Sequence, residues 1–275
     1  MSNTKPEISK SIKTGNFITN YHDQGEGFPV LLIHGSGPGV SAWANWRLII
    51  PQLAPNRRVI APDMAGFGYT ERQEGDQYNM DVWAKQAIDL LDALGIDQTD
   101  VVGNSFGGAL AIALAIQHPE RIRKVVLMGA MGVDFPITKG LDSVWGYQPS
   151  VENMRNMLNL FVDNKAIATD DLAKMRYEAS IEPGFQESFS AMFPEPRQTS
   201  VKAMASLEDK IPTIKQPTLI VHGREDQVIP IENSYKLINL IDNAQLHIFG
   251  HCGHWTQIEK ANQFAQLVNN FLDEK

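Results

Sequence analysis

The sequence predicts an α/β fold: a mostly parallel sheet flanked by helices, with a block of helices inserted late in the chain. Three observations predict it. Short apolar runs alternate with helical patterns through both halves of the 275-residue chain. Such alternation is what βαβ units with right-handed crossovers require. The alternation breaks over residues 133–212 and then resumes, which marks an insertion. Finally, a chain of this length buries enough surface to fold around a core without disulfide or metal staples.

The predicted strands are 29–34, 58–62, 101–103, 124–128, 218–222 and 245–249. Each is short and apolar throughout, as expected for strands covered on both faces. A helix is predicted over 80–94, where Val82, Ile88, Leu91 and Leu94 share a face and Gly95 ends the pattern. A second spans 106–117 and is apolar nearly all round, so it belongs in the centre of the fold. A third spans 255–272, with Ile258, Ala261, Ala265, Val268 and Leu272 at helical spacing. The sequence thus divides into a core of residues 1–132 and 213–275 and a helical cap of residues 133–212, with helical stretches at 152–161 and 170–180. The first ten residues, polar and holding one proline, are expected to be loosely ordered.

Composition narrows the function. Hydrophobic residues make up 43% and charged residues 20%, which suits a globular chain and excludes a disordered one. The net charge of −8 repels polyanions, so nucleic acid is not an expected partner. A small anionic substrate would need a local cation. One cysteine allows no intrachain disulfide, in keeping with a reducing compartment. No signal-peptide pattern and no apolar run near the ~20 residues of a membrane span is visible, so the chain reads as cytoplasmic with no membrane contact.

Chemistry enters at Gly103-Asn104-Ser105-Phe106-Gly107. A Gly-x-Ser-x-Gly pattern alone is weak. Here it follows a predicted strand and opens the all-apolar helix, the setting that a nucleophile elbow needs. A plain turn with serine as N-cap would share these residues but would not need both glycines. A serine hydroxyl needs a base at neutral pH. His254, after the last strand and beside Gly253, stands where an open α/β sheet places its site. His251 better suits a surface loop. The orienting acid should lie between serine and histidine in chain order, and Asp226 follows the strand 218–222, with Glu225 as the competing choice.

An oxyanion hole needs two backbone N–H groups. Phe106 N–H, at a helix N-terminus, is one candidate. Ser36 N–H is the other, within His34-Gly35-Ser36-Gly37-Pro38-Gly39. That glycine loop does not fit a dinucleotide: Val40 stands where the last glycine would fall, and Pro38 has no N–H. No Cys-x-x-Cys or His-Glu-x-x-His occurs, so no metal and no cofactor is expected. Cys252 reads as a packed residue. The cap holds five of the ten methionines with Trp145, Phe185, Phe189 and Phe193, a set that suits either a lid core or the wall of an apolar pocket. Read from the residues alone, Arg176 is a solvated helix arginine, and Asn45 and Asn104 are turn residues.

Taken together these pieces resemble the α/β-hydrolase family, and within it the meta-cleavage product hydrolases that cleave carbon–carbon bonds in aromatic degradation. The resemblance runs from about residue 8 to residue 272 and rests on the His34 to Gly39 loop with Asn45, on Gly103 to Gly108, on Arg176-Tyr177-Glu178-Ala179-Ser180, on Gly223-Arg224-Glu225-Asp226 and on Cys252-Gly253-His254-Trp255. It implies the α/β-hydrolase fold and a small-molecule dienoate substrate, a 2-hydroxy-6-oxohexa-2,4-dienoate with hydrogen or a small alkyl group at C6. It implies Ser105, Asp226 and His254 as the triad, with Ser36 and Phe106 holding the oxyanion. It places Arg176 and Trp255 on the dienoate end, with Asn45 and Asn104 nearby. Such enzymes are commonly homodimers, which makes a homodimer the expected assembly. Two other readings share the residues: a carboxylesterase or cofactor-free perhydrolase with the same triad, and a non-catalytic ligand receptor of the same fold.

Overall fold

The computed structural model describes residues 5–73 and 75–274. Eight strands form one sheet: β1 (Lys10–Thr14), β2 (Phe17–Gln24), β3 (Pro29–Ile33), β4 (Arg58–Pro62), β5 (Thr99–Asn104), β6 (Ile122–Met128), β7 (Thr218–Gly223) and β8 (Ala244–Phe249). Their order is β1-β2-β4-β3-β5-β6-β7-β8. The pairs β1/β2 and β2/β4 are antiparallel, and all the others are parallel.

The helices of the sheet's first half are α1 (Ala42–Trp46), α2 (Ile50–Leu53), α3 (Met80–Ala93) and α4 (Phe106–Gln117). Between β6 and β7 run α5 (Lys139–Trp145), α6 (Val151–Phe161), α7 (Asp170–Ser180), α8 (Phe185–Met192) and α9 (Gln198–Met204). Then come α10 (Glu232–Leu240), α11 (Thr256–Glu259) and α12 (Ala261–Asp273).

Strand alternation builds two cores, one on each face of the sheet. Leu31, Ile33, Ile60, Val101, Val125, Leu127 and Ile220 join the core that holds α3 and α4. Their neighbours Val30, Leu32, Val59, Val102, Val126 and Leu219 join the other, with Trp46, Leu53, Phe264 and Val268 from α1, α2 and α12. Both faces of the inner strands are covered, so those strands carry no polar face.

Three features of this fold differ from the sequence expectation. The hairpin β1–β2 was not predicted. It forms the antiparallel edge of the sheet, its outer strand is mostly exposed, and a search for wholly apolar runs passes over it. Residues 5–9, expected to be loose, are held: Ser9 N–H donates to Asn20 Oδ1 at 3.0 Å, and Lys5 pairs with Glu182 of the segment after α7. Residues 1–4 of that expectation lie outside the described residues. The last predicted helix is two, because the chain turns at Lys260 (φ −125°) between α11 and α12.

The chain order puts the site. After β4 the chain crosses β3 to lay β5 on the far side, so β3 and β5 are neighbours with connections leaving in opposite directions. The crevice at their carboxyl ends is a topological switch point, where open α/β sheets bind ligands.

Candidate active site

Ser105 sits at that crevice, on the turn from β5 into α4. Its φ is 53° and ψ −112°, a backbone state that a serine rarely holds. The turn closes because its neighbours have no side chain. A Cβ on Gly103 would lie 2.1 Å from Gly107 O, and one on Gly107 would lie 2.3 Å from Ile33 O. Ser105 N–H donates to Met128 O at 2.9 Å, and Ser105 O accepts from Met131 N–H at 3.1 Å. The strain is therefore locked by β6 and the loop behind it.

That same loop meets the other half of the site. A Cβ built on Gly129 would lie 3.3 Å from Asp226 Oδ2 and 3.4 Å from the His254 ring. His254 Nδ1 is 2.7 Å from Asp226 Oδ2. Asp226 Oδ1 accepts two more hydrogen bonds, from Val228 N–H at 2.7 Å and Ile229 N–H at 2.9 Å. Burial pushes the Asp226 carboxyl up, but the His254 charge and the His222 and His254 hydrogen bonds outweigh it and hold it well below the usual carboxylate range. A permanently ionised acid fixes Nδ1 as the protonated nitrogen and leaves Nε2 free to take a proton. Among the described residues the Ser105 hydroxyl makes no hydrogen bond; in ligand-free sites such bonds are often long.

The rival residues lie elsewhere. Glu225 is committed to Cys252 N–H at 2.9 Å and to Arg224 at 2.8 Å. His251 projects into solvent, its side chain 86% exposed. Cys252 is fully buried, and burial pushes its thiol up to about 12, which leaves no thiolate to act as a nucleophile.

Ser36 and Phe106 bring two unengaged backbone donors to the crevice. Among the described residues neither N–H donates a hydrogen bond. The Ser36 loop is fixed from three sides. His34 Nδ1 donates to Gly35 O at 2.8 Å while its Nε2 accepts from Met64 N–H at 3.0 Å, and burial lowers the ring to about 4, so it stays neutral. Asn45 Oδ1 accepts from Gly35 N–H at 3.3 Å. Trp145 of α5 donates to Ser36 Oγ at 3.0 Å and stacks on Phe193 at 4.4 Å. Trp145 was not singled out as a site residue in the sequence; nothing around it forms a motif.

One cavity joins these parts. Ser36, Asn45, Asn104 and His254 line its sheet side; Met154, Met157, Leu158 and Phe161 of α6 line its apolar side; Arg176 of α7 and Trp255 line its end. Arg176 is the one charged side chain in this wall. It is not the solvated arginine that the residues alone suggested. Its Nη2 donates to Gly39 O at 2.9 Å. Gly39 (φ 66°) lets the loop run against α7, since a Cβ there would lie 2.6 Å from Ser180 N. Burial pulls the guanidinium down to about 10, with the Arg47 charge adding to the effect, so it remains a cation at neutral pH. Phe161 stacks on both Trp255 (4.9 Å) and His254 (5.9 Å), which ties the apolar wall to the base. Six of the nine sequence-predicted residues line this cavity: Ser36, Asn45, Asn104, Arg176, His254 and Trp255. Ser105 and Phe106 follow Asn104 directly, and Asp226 stands behind His254.

That combination defines the class. A family model described as the alpha/beta hydrolase fold matches residues 29–261, and the chain belongs to that family. Among its relatives, the 2-hydroxymuconate semialdehyde hydrolase of Pseudomonas sp. (strain CF600) is 59% identical, over 98% of this chain and 95% of that one. The 2-hydroxy-6-oxo-2,4-heptadienoate hydrolase of Pseudomonas putida (strain F1) is 54% identical, over 99% of each. A solved meta-cleavage product hydrolase from Pseudomonas fluorescens IP01, a serine-to-alanine mutant complexed with acetates, superposes with a TM-score of 0.96 at 58% identity, over 97% of this chain and 98% of that one.

Proposed function

We propose that this protein hydrolyses the C5–C6 bond of 2-hydroxy-6-oxohexa-2,4-dienoates with hydrogen or a small alkyl group at C6. The products are 2-hydroxypenta-2,4-dienoate and a small carboxylic acid. The observation that carries the reading is one cavity lined both by the base His254, Ser36 and Asn104, the residue before the nucleophile, and by the half-buried Arg176, the one charged side chain in its wall. An ordinary esterase needs only the first half. A dienoate needs both, because its carboxylate must find a cation in an acidic protein.

The chemistry follows from the parts. The bound dienol first moves its O2 proton to C5. This ketonisation makes C2 a carbonyl conjugated through C3 and C4, so it can accept the electrons of the C5–C6 bond. Ser105 Oγ then adds to the C6 carbonyl as its proton passes to His254 Nε2. Asp226 stabilises the resulting imidazolium. Ser36 N–H and Phe106 N–H take the C6 oxyanion. Donors already aimed at such a charge need not reorganise during the reaction. Collapse of the adduct breaks C5–C6, and the electron pair runs to O2, which His254 reprotonates. Water, activated by His254, then hydrolyses the acyl group from Ser105 and restores the enzyme. The helices between β6 and β7 act as the lid: α6 supplies the wall around the C6 substituent, and α7 supplies Arg176.

The test is optical. Purified protein is mixed with the ring-fission product of catechol, or with its methyl-ketone and phenyl-ketone analogues, and the visible absorbance of the dienolate is followed. Fast bleaching of the aldehyde and methyl ketone with slow bleaching of the phenyl compound is expected. No bleaching of any of the three, with turnover of neutral esters, would return the protein to the esterase class.

A further inference from the structure

Behind the Arg176 end lies a second, smaller cavity. Val40, Asn45, Arg176 and Trp255 wall both cavities, and Arg47, Leu172 and Gln257 close the far side of the second. Its volume is about 30 Å³, room for one carboxylate group or two water molecules.

Three features of this chamber are left unused by the reaction above. The first is charge. Arg47, the residue that caps α1, faces the chamber together with Arg176, and burial pulls both guanidinium groups below their ordinary value. The Arg47 charge adds to the lowering at Arg176, while the Glu7 carboxylate favours the charged form of both. Among the described residues neither forms an ion pair, and Arg47 makes a single hydrogen bond, to Ala44 O at 2.6 Å. The second feature is Asn45. It is 6% exposed, its Oδ1 is engaged by Gly35, and its Nδ2 has no partner. The third is Gln257, 1% exposed, whose Oε1 has no partner. Two neighbouring half-buried cations with no ion pair, and a buried amide donor with no partner, leave this chamber short of acceptors.

We propose that this chamber is a carboxylate-binding site in which Arg47 is the second cation beside Arg176. The proposal deepens the dienoate reading and, for the substrate, rests on it. The acid end of the dienoate passes the Arg176–Trp255 partition and is shared between the two guanidinium groups and Asn45 Nδ2. The 2-hydroxyl next to that carboxylate is the donor that Gln257 Oε1 lacks. A free small carboxylate, such as the acid released by cleavage, presents the same chemistry and competes for the same groups.

The experiment compares wild type, Arg47→Gln and Arg47→Lys, each checked first for an unchanged far-ultraviolet spectrum. Two readouts are taken: kcat and KM for the aldehyde dienoate, and calorimetric binding of acetate and of sorbate, an unreactive dienoate. Arg47→Gln is expected to raise KM about tenfold, with the larger part of the loss in kcat/KM falling on KM, and to weaken both carboxylates by a similar factor. Arg47→Lys recovers part of that loss, because the charge returns without the fork. A weaker acetate with an unchanged dienoate KM would still place a carboxylate site in the chamber, now for the free acid. Unchanged KM together with unchanged acetate and sorbate affinity would overturn the proposal and leave the chamber to water. If the wild type did not bleach the dienoate at all, the functional reading would fall, and calorimetry alone would decide the chamber.

Discussion

The two walls of the cavity are built by different means. On the sheet side most functional groups hang from a strand end, with Ser36 after β3, Asn104 and Ser105 at the end of β5, Asp226 after β7 and His254 after β8, while Asn45 stands on α1. Ser105 and Asp226 are held by backbone hydrogen bonds from β6 and from the turn after Asp226. On the helix side Met154, Met157, Leu158 and Phe161 present side chains whose positions come from packing. The sheet wall is fixed to within the tolerance that bond-making needs. The helix wall, two of its members methionine, adapts to shape. The comparison teaches that reaction type belongs to the first wall and the choice of C6 substituent to the second.

The strongest way to break that division is Ser105→Ala. It removes one oxygen from the sheet wall and touches nothing else. We expect kcat for the dienoate to fall by about five orders of magnitude or more with the unfolding temperature unchanged. Turnover near that of the wild type in the bleaching assay would remove Ser105 from the chemistry. Asp226→Asn comes next, with a loss of about 10⁴ in kcat, because the amide favours the wrong histidine tautomer. This variant also carries a pH signature. The Asp226 carboxyl is held below its ordinary range, so its contribution to stability is present above the unfolded value near 3.9 and is lost as pH falls through the folded one. Wild type should therefore exceed Asp226→Asn in denaturant midpoint at pH 7, with the gap closing in acid. A gap that widened in acid would contradict the charge assignment.

The same division explains what the sequence made legible. The inner strands could be read because both of their faces are covered, which favours apolar residues along their length; β8, half-exposed at the other edge, was read from its apolar positions alone. The β1–β2 edge lies outside that rule and was missed. Ser105 could be read because its turn needs glycine at 103 and 107, and sequence records that need. The sequence favoured Asp226 but left Glu225 in competition, since neighbouring acids differ only in where their side chains point; the geometry separates them through Cys252 N–H and His254 Nδ1. Arg176 was legible only by resemblance, because a helix arginine looks the same whether solvated or buried. Arg47 left no signal, and Trp145 showed only as one of the cap's aromatics. Each acts through a contact far away in the chain, and no local pattern encodes it.

Two predictions sharpen the helix wall. Arg176→Met should lower kcat/KM for the dienoate about a hundredfold and the hydrolysis of a neutral ester far less. Equal losses on both substrates would remove its carboxylate role. Met157→Ala, on α6, enlarges the space beside His254. We expect it to swing kcat/KM by about tenfold toward the phenyl ketone over the methyl ketone. The variant loses about 2–5 kcal/mol of stability, since Met157 is 5% exposed. A changed stability with an unchanged substrate ratio would move the specificity wall elsewhere.

The smallest effect is expected at His222, and it tests how far the rigidity of the sheet wall reaches. His222 is fully buried on β7. Its Nε2 faces two acceptors, Ile229 O at 3.1 Å and Asp226 Oδ2 at 3.4 Å, so that nitrogen carries the proton. Its Nδ1 then accepts from Ser234 Oγ at 2.7 Å. Asp226 Oδ2 is thus shared between two rings, His254 from the loop after β8 and His222 from β7, while Cys252 nearby stays protonated. His222→Leu would remove one donor from that oxygen. Asp226 would then draw more strongly on the His254 proton, and the imidazolium would be favoured. The acid limb of kcat/KM should move to higher pH by about half a unit, and His222→Gln, which keeps a donor, should restore it. A residue that merely fills space would lower the unfolding temperature in both variants and leave the limb where it is.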